Sequence, residues 1–569
     1  MLFSGQSIHF TAGHAGQESC QLCQFISETL EAETNTGRSI EVHRAGVCLV
    51  RKPDGHRLLR LCAGLELPKE PAGGPLARSE ELPISFPDLP PPEDILRFDL
   101  LQAWLDQCCC EPFHDTPRNY LPTRLLDVSN PNVLRLIPGE KIGDKRYIVL
   151  SHCWGKLGPE EVPPYCTTRH NICVREGESG FADADLPLTF LDAVKVARAL
   201  SIRYLWIDSL CIIQQDPEDW QREAMCMEQV YSSAYLTIAA TSATNSESGF
   251  LKRNASSKHV YIQDDLGRRA YICNTVADFD HEVEKAQLNT RAWVLQERML
   301  SRRTIHFGSH QMYFECGEAV YCEDLTRMTC LGGEKYFKLD PEFPNRLRSS
   351  GFGDTIHFLQ SFLADYSKRG HTKPTDRAIA VSGLAARISS VLPSAQSYGV
   401  FGLFLHRTLL WGGAGQQRME KIEYTSSHKP PSWSWMAYKG GIQFLGGEFG
   451  ELDLFLDLQL KGSTLNAVVW KFRDCNLQEV SGTPLKRQIL APSAGEREEP
   501  EERGWVMYDV EDDNNLGLER AVIVARKYCG KRCYMLVVKQ VGRSKYERVG
   551  VGEIEWEWVW QKQTDVVLV

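Results

Sequence analysis

YIVLSHCWG, residues 147–155, decides the fold: a run suited to a strand buried on both faces passes directly into a polar turn closed by glycine. Two similar runs follow, YLWID at 204–208 and YLTIAA at 235–240. Between the first two lies LPLTFLDAVKVARAL, 186–200, where Phe190, Leu191, Val194 and Ala197 supply a helical stripe. Thr189, with Asp192 three residues on, gives that helix a weak capping signal. Before the third run, Asp216 and Pro217 read as N-cap and first turn of another helix, with Glu218 and Asp219 near its positive end. The apolar face of this helix is Trp220, Ala224, Met227, Tyr231 and Ala234. Strand, helix, strand, helix, strand at this spacing implies a parallel sheet with right-handed crossovers. The centre is α/β.

Downstream, Arg291–Leu300 reads as a helix, and Thr304–Phe307 with Gln311–Cys316 as a hairpin about a Gly-Ser turn. Residues 345–412 read as helical. After about 440 the short alternating runs LFLDLQL, AVVWKF, AVIVARKY and YMLVVKQ indicate a β-rich module. Its Glu-rich insert Pro492–Arg503 reads as a disordered loop. Upstream, ILRFDLLQAWLDQCCC is a helix with Ile95, Phe98, Leu101, Leu105 and Cys109 on one side, and the Pro-rich stretch 68–93 is an extended linker. The expected divisions are 1–130, 147–300, 301–440 and 441–569.

A chain of 569 residues exceeds one hydrophobic core, which stops growing at roughly 250–300 residues. With 43% hydrophobic and 24% charged residues it is globular, and a net charge of -10 argues against a nucleic-acid binder. Arg298, Arg302 and Arg303 read as solvated helix-end charges. The start MLFSGQSIHF shows no secretory signal, and no stretch approaches the ~20 apolar residues of a membrane span. A cytoplasmic location with reduced thiols is expected for the 19 cysteines.

Three blocks together resemble the HET domain of fungal heterokaryon-incompatibility proteins: YIVLSHCWG (147–155), residues 186–240, and NTRAWVLQERML (289–300). LPTRLLDV (121–128), DRAIAVSGLA (376–385) and PPSWSWMAY (430–438) are also similar to that family. Many relatives carry Cys, His and a second Cys upstream of the first of these; here Cys108, Cys109 and Cys110 precede His114, and Pro117 stands where the last Cys would fall. The resemblance implies non-self recognition followed by regulated cell death, as effector or regulator. It implies partners among other incompatibility proteins or self-association through the HET domain. It also implies a TIR-like parallel sheet with crossover helices, flanked by helical segments and the β-rich module.

Enzymatic TIR domains cleave NAD at the nicotinamide–ribose bond with a glutamate in a Trp-x-x-Glu context, and Trp220-Gln221-Arg222-Glu223 is similar. Helix geometry puts Trp220, Glu223 and Met227 on one face, where a carboxylate is partly desolvated and its pKa rises. Such a group stabilises an oxocarbenium-like state, by analogy with glycosidases, and Trp220 can stack on nicotinamide. The competing reading has Glu223 bordering the packed face, reaching solvent or pairing near Arg222. Asp208, at the carboxyl edge of its strand, suits a ribose or a loop amide, or caps the next turn. Ser151, at the end of the first strand, is the other candidate cofactor-binding residue.

His152 and Cys153 are neighbours whose side chains point to opposite faces of a strand, so they form no catalytic pair by themselves. Arg291, Trp293, Gln296 and Glu297 share a short helix suited to phosphate anchoring or, as the preferred reading, an internal salt bridge. Cys20 and Cys23 with Cys108 and His114 match zinc-ligand types, but their separation favours buried thiols and no metal. No Walker A loop, Rossmann glycine fingerprint or HExxH is present.

Overall fold

The computed structural model describes residues 8–10, 25, 40–45, 48–51, 57–63, 96–108, 120–158, 161–253, 259–263, 269–273, 279–329, 337–338, 340, 343–415, 419–424, 429–445, 452–454, 457–473, 475–492, 501–510, 520–527 and 530–569. The linker 68–93 lies outside them. The chain divides into two units. One comprises 1–220, 233–289 and 301–331; the other comprises 221–232, 290–300 and 332–569.

The first unit is built on a nine-stranded sheet: β1 (Arg124–Asp127), β2 (Arg135–Pro138), β3 (Tyr147–Ser151), β4 (Tyr204–Trp206), β5 (Leu236–Ala239), β6 (Arg303–Phe307), β7 (Met312–Cys316), β8 (Ala319–Cys322) and β9 (Arg327–Thr329). β3 lies parallel to β4 and to β5, with Val149 opposite Trp206 and Ser151 opposite Ala239. β6 is parallel to β5. All residues of β3, β4, β5 and β6 are buried, which is why these strands read as unbroken apolar runs. The sheet is not wholly parallel: β1 runs antiparallel to β4 and β2 on one side, and β7, β8 and β9 continue antiparallel from β6 on the other.

Numbered by chain order, the four parallel strands lie 2-1-3-4 across the sheet, so the winding reverses between β3 and β5. Open α/β sheets bind ligands at the carboxyl ends of strands at such a reversal. Strands Ile8–Phe10, Ile40–Ala45, Cys48–Arg51, Arg57–Ala63, Arg269–Cys273 and His259–Gln263 form a separate antiparallel sheet in the same unit.

Four helices matter for the site. α1 is Leu96–Gln107, α2 is Leu188–Ala199, α3 is Pro217–Ser233 and α4 is Ala292–Leu300. α1 is anchored by Arg97, whose Nη1 donates to the Leu251 carbonyl at 3.0 Å and whose Nε lies 3.7 Å from Glu323. Asp216 caps α3 as expected, its carboxylate accepting from the backbone N–H groups of Glu218 and Asp219. Arg169 donates to the same carboxylate at 2.7 Å and holds its pKa down at about 2.

Three expectations need correction. Thr189 and Asp192 do not cap α2, which starts after Pro187 with no side-chain cap; both side chains make long-range bonds described below. Arg302 and Arg303 are buried rather than solvated, and the Arg303 guanidinium lies 4.9 Å from the centre of the Tyr235 ring. Glu502 and Arg503 belong to a strand, Glu502–Tyr508, while 493–500 of the supposed loop lie outside the described residues.

In the second unit, α5 (Phe352–Lys368) and α6 (Ser382–Val391) are followed by a β-rich C-terminal region. Five of its strands close on themselves: β10 (Thr464–Phe472), β11 (Arg520–Lys527), β12 (Arg532–Gln540), β13 (Lys545–Glu555) and β14 (Val559–Leu568). β10 pairs with β11 and β14, β12 with β11 and β13, and Lys545 and Tyr546 of β13 with the end of β14. Closure removes free edges, the usual liability of a sheet. Arg548 of β13 is 1% exposed, held by both oxygens of Asp509 at 2.9 Å and lying 3.4 Å from the centre of the Trp411 ring.

Candidate functional site

The turn after β3 sits at the reversal of the sheet. Ser151 is buried, and its carbonyl accepts from the N–H of Ala240 just beyond β5 at 2.9 Å. His152 is also buried; its ring stacks at 14° on Trp154 and meets the edge of Phe190 at 4.9 Å. Cys153 is buried in the same turn, so a packing role fits it better than that of an accessible nucleophile. Gly155 closes the turn at φ +97°, and a Cβ there would come within 2.8 Å of the Asn245 side chain. Only glycine satisfies both conditions.

Asp208 opens a short helical turn, Asp208–Cys211, two residues past the end of β4. One oxygen accepts from the N–H of Ser209 at 2.7 Å, the other from the indole N–H of Trp154 at 2.9 Å. His152 Nδ1 lies 3.8 Å from the first oxygen, beyond hydrogen-bond length. The Asp208 side chain nevertheless remains 28% exposed. It therefore bonds the adjacent Ser209 N–H from inside the turn, whose cap position is Ile207 with no side-chain cap, and also presents a carboxylate outward. Its segment is laced to residue 167: Thr167 donates its N–H to Ser209, and Gln214 donates its N–H to Thr167 at 2.7 Å. Ser209 Oγ is buried with no hydrogen-bond partner among the described residues.

The loop after β5 forms the other wall. Thr189 of α2 accepts from the N–H of Gly249 at 3.1 Å and donates to the Asn245 carbonyl at 3.0 Å. Asp192 Oδ2 accepts from the N–H groups of Phe250 at 2.9 Å and Leu251 at 3.1 Å. Tyr165 donates to Ser246 at 2.9 Å and packs edge-on against Phe190. Burial pushes the Tyr165 hydroxyl and the Cys166 thiol up to about 12, so both stay protonated at neutral pH.

The start of α3 is fixed by Asp219, which accepts from buried Arg124 and from the N–H of Ile213 at 2.8 Å. Trp220, next in sequence, is half-buried. Glu223, one turn on, is only 1% exposed. Its Oε1 accepts from Arg222 Nε at 3.3 Å, and its Oε2 is buried with no hydrogen-bond partner among the described residues. It does not reach solvent. By contacts Ser151, Asp208 and Trp220 belong to the first unit, Glu223 to the second.

On α4, Gln296 and Glu297 are buried, and the indole of Trp293 donates to Asp376. No group of three or more potential metal ligands occurs among the described residues; Cys20, Cys23 and His114 lie outside them, and Cys108 is buried. Sequence reasoning missed Trp154, Tyr165, Ser209 and Asn245 as site residues. An aromatic two positions past His152 was the one signal on offer, and the rest depend on contacts distant in sequence.

The carboxyl edge of the sheet thus presents the partly exposed Asp208 carboxylate bonded to the half-buried Trp154, beside the buried rings of His152, Tyr165 and Phe190. No helix among the described residues is long and apolar enough to cross a membrane. Comparison with curated proteins and with solved structures returned no match. Residues 147–297, from the first residue of β3 into α4, match the family described as heterokaryon incompatibility protein (HET), and this segment is what the chain shares with that family.

Proposed function

We propose that this protein acts in fungal non-self recognition, in the cytoplasm, as an effector or regulator of the regulated cell death that follows. The match of 147–297 to the HET family carries this reading. The 2-1-3-4 order of the parallel strands supports a TIR-like fold. In the proposed mechanism the protein hydrolyses NAD, and Glu223 is the essential carboxylate that stabilises the oxocarbenium-like ribose. Trp220, Asp208 and Ser151 are the proposed nucleotide-binding residues. The observation favouring Glu223 is its buried carboxyl oxygen Oε2, which has no hydrogen-bond partner among the described residues. Folding leaves such groups unsatisfied rarely, because each costs about 1–3 kcal/mol.

A second reading is a non-catalytic HET domain that self-associates or recruits other incompatibility proteins. The near-complete burial of Glu223 beside Arg222 favours it. NAD loss by purified, clustered protein, compared with Glu223→Gln, separates the two. The enzyme reading expects loss with the wild type and at least ~100-fold slower loss with the variant. Equal rates, or no loss by either, leave the interaction reading.

A further inference from the structure

DRAIAVSGLA, 376–385, stands out in the sequence, yet neither the sheet edge nor the proposed chemistry assigns it a role. Its last residues begin α6, and α6 meets α3 through two positions one turn apart. At Gly383 a Cβ would fall 3.0 Å from Cβ and 3.1 Å from Cγ of Glu228, and 3.2 Å from Gln296 Oε1. One turn later, Arg387 Nε donates to Glu228, and Nη2 donates to Ser232 at 2.8 Å. Nη1 reaches the Phe343 carbonyl at 3.5 Å. Glu228 and Ser232 are themselves one turn apart on α3, so one guanidinium spans that helix face. All these residues belong to the second unit.

Glu223 lies on the same helix, five residues before Glu228. Its own side-chain restraint is slight: one long bond from the half-exposed Arg222, and one oxygen with no donor among the described residues. Its placement is therefore inherited from the helix. We infer that Gly383 and Arg387 are positioning residues that set where α3 holds Glu223. This inference rests on the reading of Glu223 as the working carboxylate. An added methyl at Gly383 meets the stem of Glu228, which cannot swing aside as a side-chain tip can, so the helices must part by a few tenths of an ångström. Loss of the guanidinium releases two helix positions at once. Misplacement of about 1 Å by a distant change lowers rates by on the order of 100-fold.

The test uses the full chain: wild type, Glu223→Gln, Gly383→Ala, Arg387→Ala and Arg387→Lys, each measured for NAD hydrolysis and for amide exchange over 221–232. The expected result for Arg387→Ala is a kcat at least ~10-fold lower with KM within about twofold, and faster exchange in that segment. Arg387→Lys should recover part of both, and Gly383→Ala, the mildest variant, should lower kcat about threefold. Wild-type kcat and wild-type exchange in both Gly383→Ala and Arg387→Ala overturn the inference. Full activity in Glu223→Gln instead removes the catalytic reading, and exchange over 221–232 then decides the anchoring alone: unchanged exchange overturns it, faster exchange upholds it.

Discussion

Asp208 and Glu223 were both picked from sequence as carboxylates for the same chemistry, and they live under opposite conditions. Asp208 is about a quarter exposed, and each of its oxygens has a hydrogen-bond donor. Glu223 is inside, with one oxygen weakly held and the other without a partner among the described residues. Asp208 stabilises its surroundings while facing outward; Glu223 is a burden on the fold where it stands. Residues kept against the interest of stability are the ones expected to serve function. On the proposed reading Asp208 keeps local order and Glu223 carries the chemistry.

The largest effect that would sharpen this contrast comes from the wall beside Asp208. Asp192→Ala leaves the N–H groups of Phe250 and Leu251 without their acceptor, and a loss of about 2–4 kcal/mol in unfolding free energy is expected from denaturant titration. Asp208→Ala should cost about 1–3 kcal/mol, because Trp154 and Ser209 lose a shared acceptor. A neutral outcome for Asp208→Ala would break the contrast, since Asp208 would then hold nothing in place.

A smaller separation comes from pH. In the second unit, burial holds His371 and His406 down at about 4, so the folded chain keeps them neutral. The unfolded chain takes up those protons near 6.5, so the stability they contribute is complete above that value and drains as pH falls toward 4. In the first unit, Glu282 raises the pKa of His310 through a 2.8 Å contact. That contribution is fully present below about 6.5 and is lost as pH rises through the raised value. The Asp216 cap persists until pH falls toward 2. Amide exchange at pH 7 and pH 5 should show the second unit loosening on acidification while the first does not. Equal loosening of both would count against this assignment.

Much of the centre was legible because its signals are local. YIVLS, YLWID and YLTIAA are buried on both faces, so their continuity alone marks parallel strands, and Asp216-Pro217 caps α3 through groups two and three residues away. Asp192 misled for the opposite reason: its spacing from Thr189 imitates a cap, while its partners lie 58 and 59 residues ahead. Arg303 looked solvated because nothing nearby in sequence reveals Tyr235 beneath it. The closed barrel was readable as alternation but not as closure, since β10 pairs with β14 across almost a hundred residues. Glu223 was marked by the likeness of Trp220-Gln221-Arg222-Glu223 to the Trp-x-x-Glu context of enzymatic TIR domains, and its place on an apolar helix face only supported that. That its Oε2 has no hydrogen-bond partner among the described residues shows only in the folded chain.

The most direct measurement takes one preparation of Glu223→Gln and records both its thermal melt and its NAD consumption beside the wild type. Replacing a buried carboxyl group whose Oε2 has no hydrogen-bond partner among the described residues should leave the melting temperature equal or higher, by up to about 1 kcal/mol of stability, while NAD loss all but disappears. A lower melting temperature with undiminished NAD loss would contradict the account, because Glu223 would then be a structural residue without a part in the chemistry.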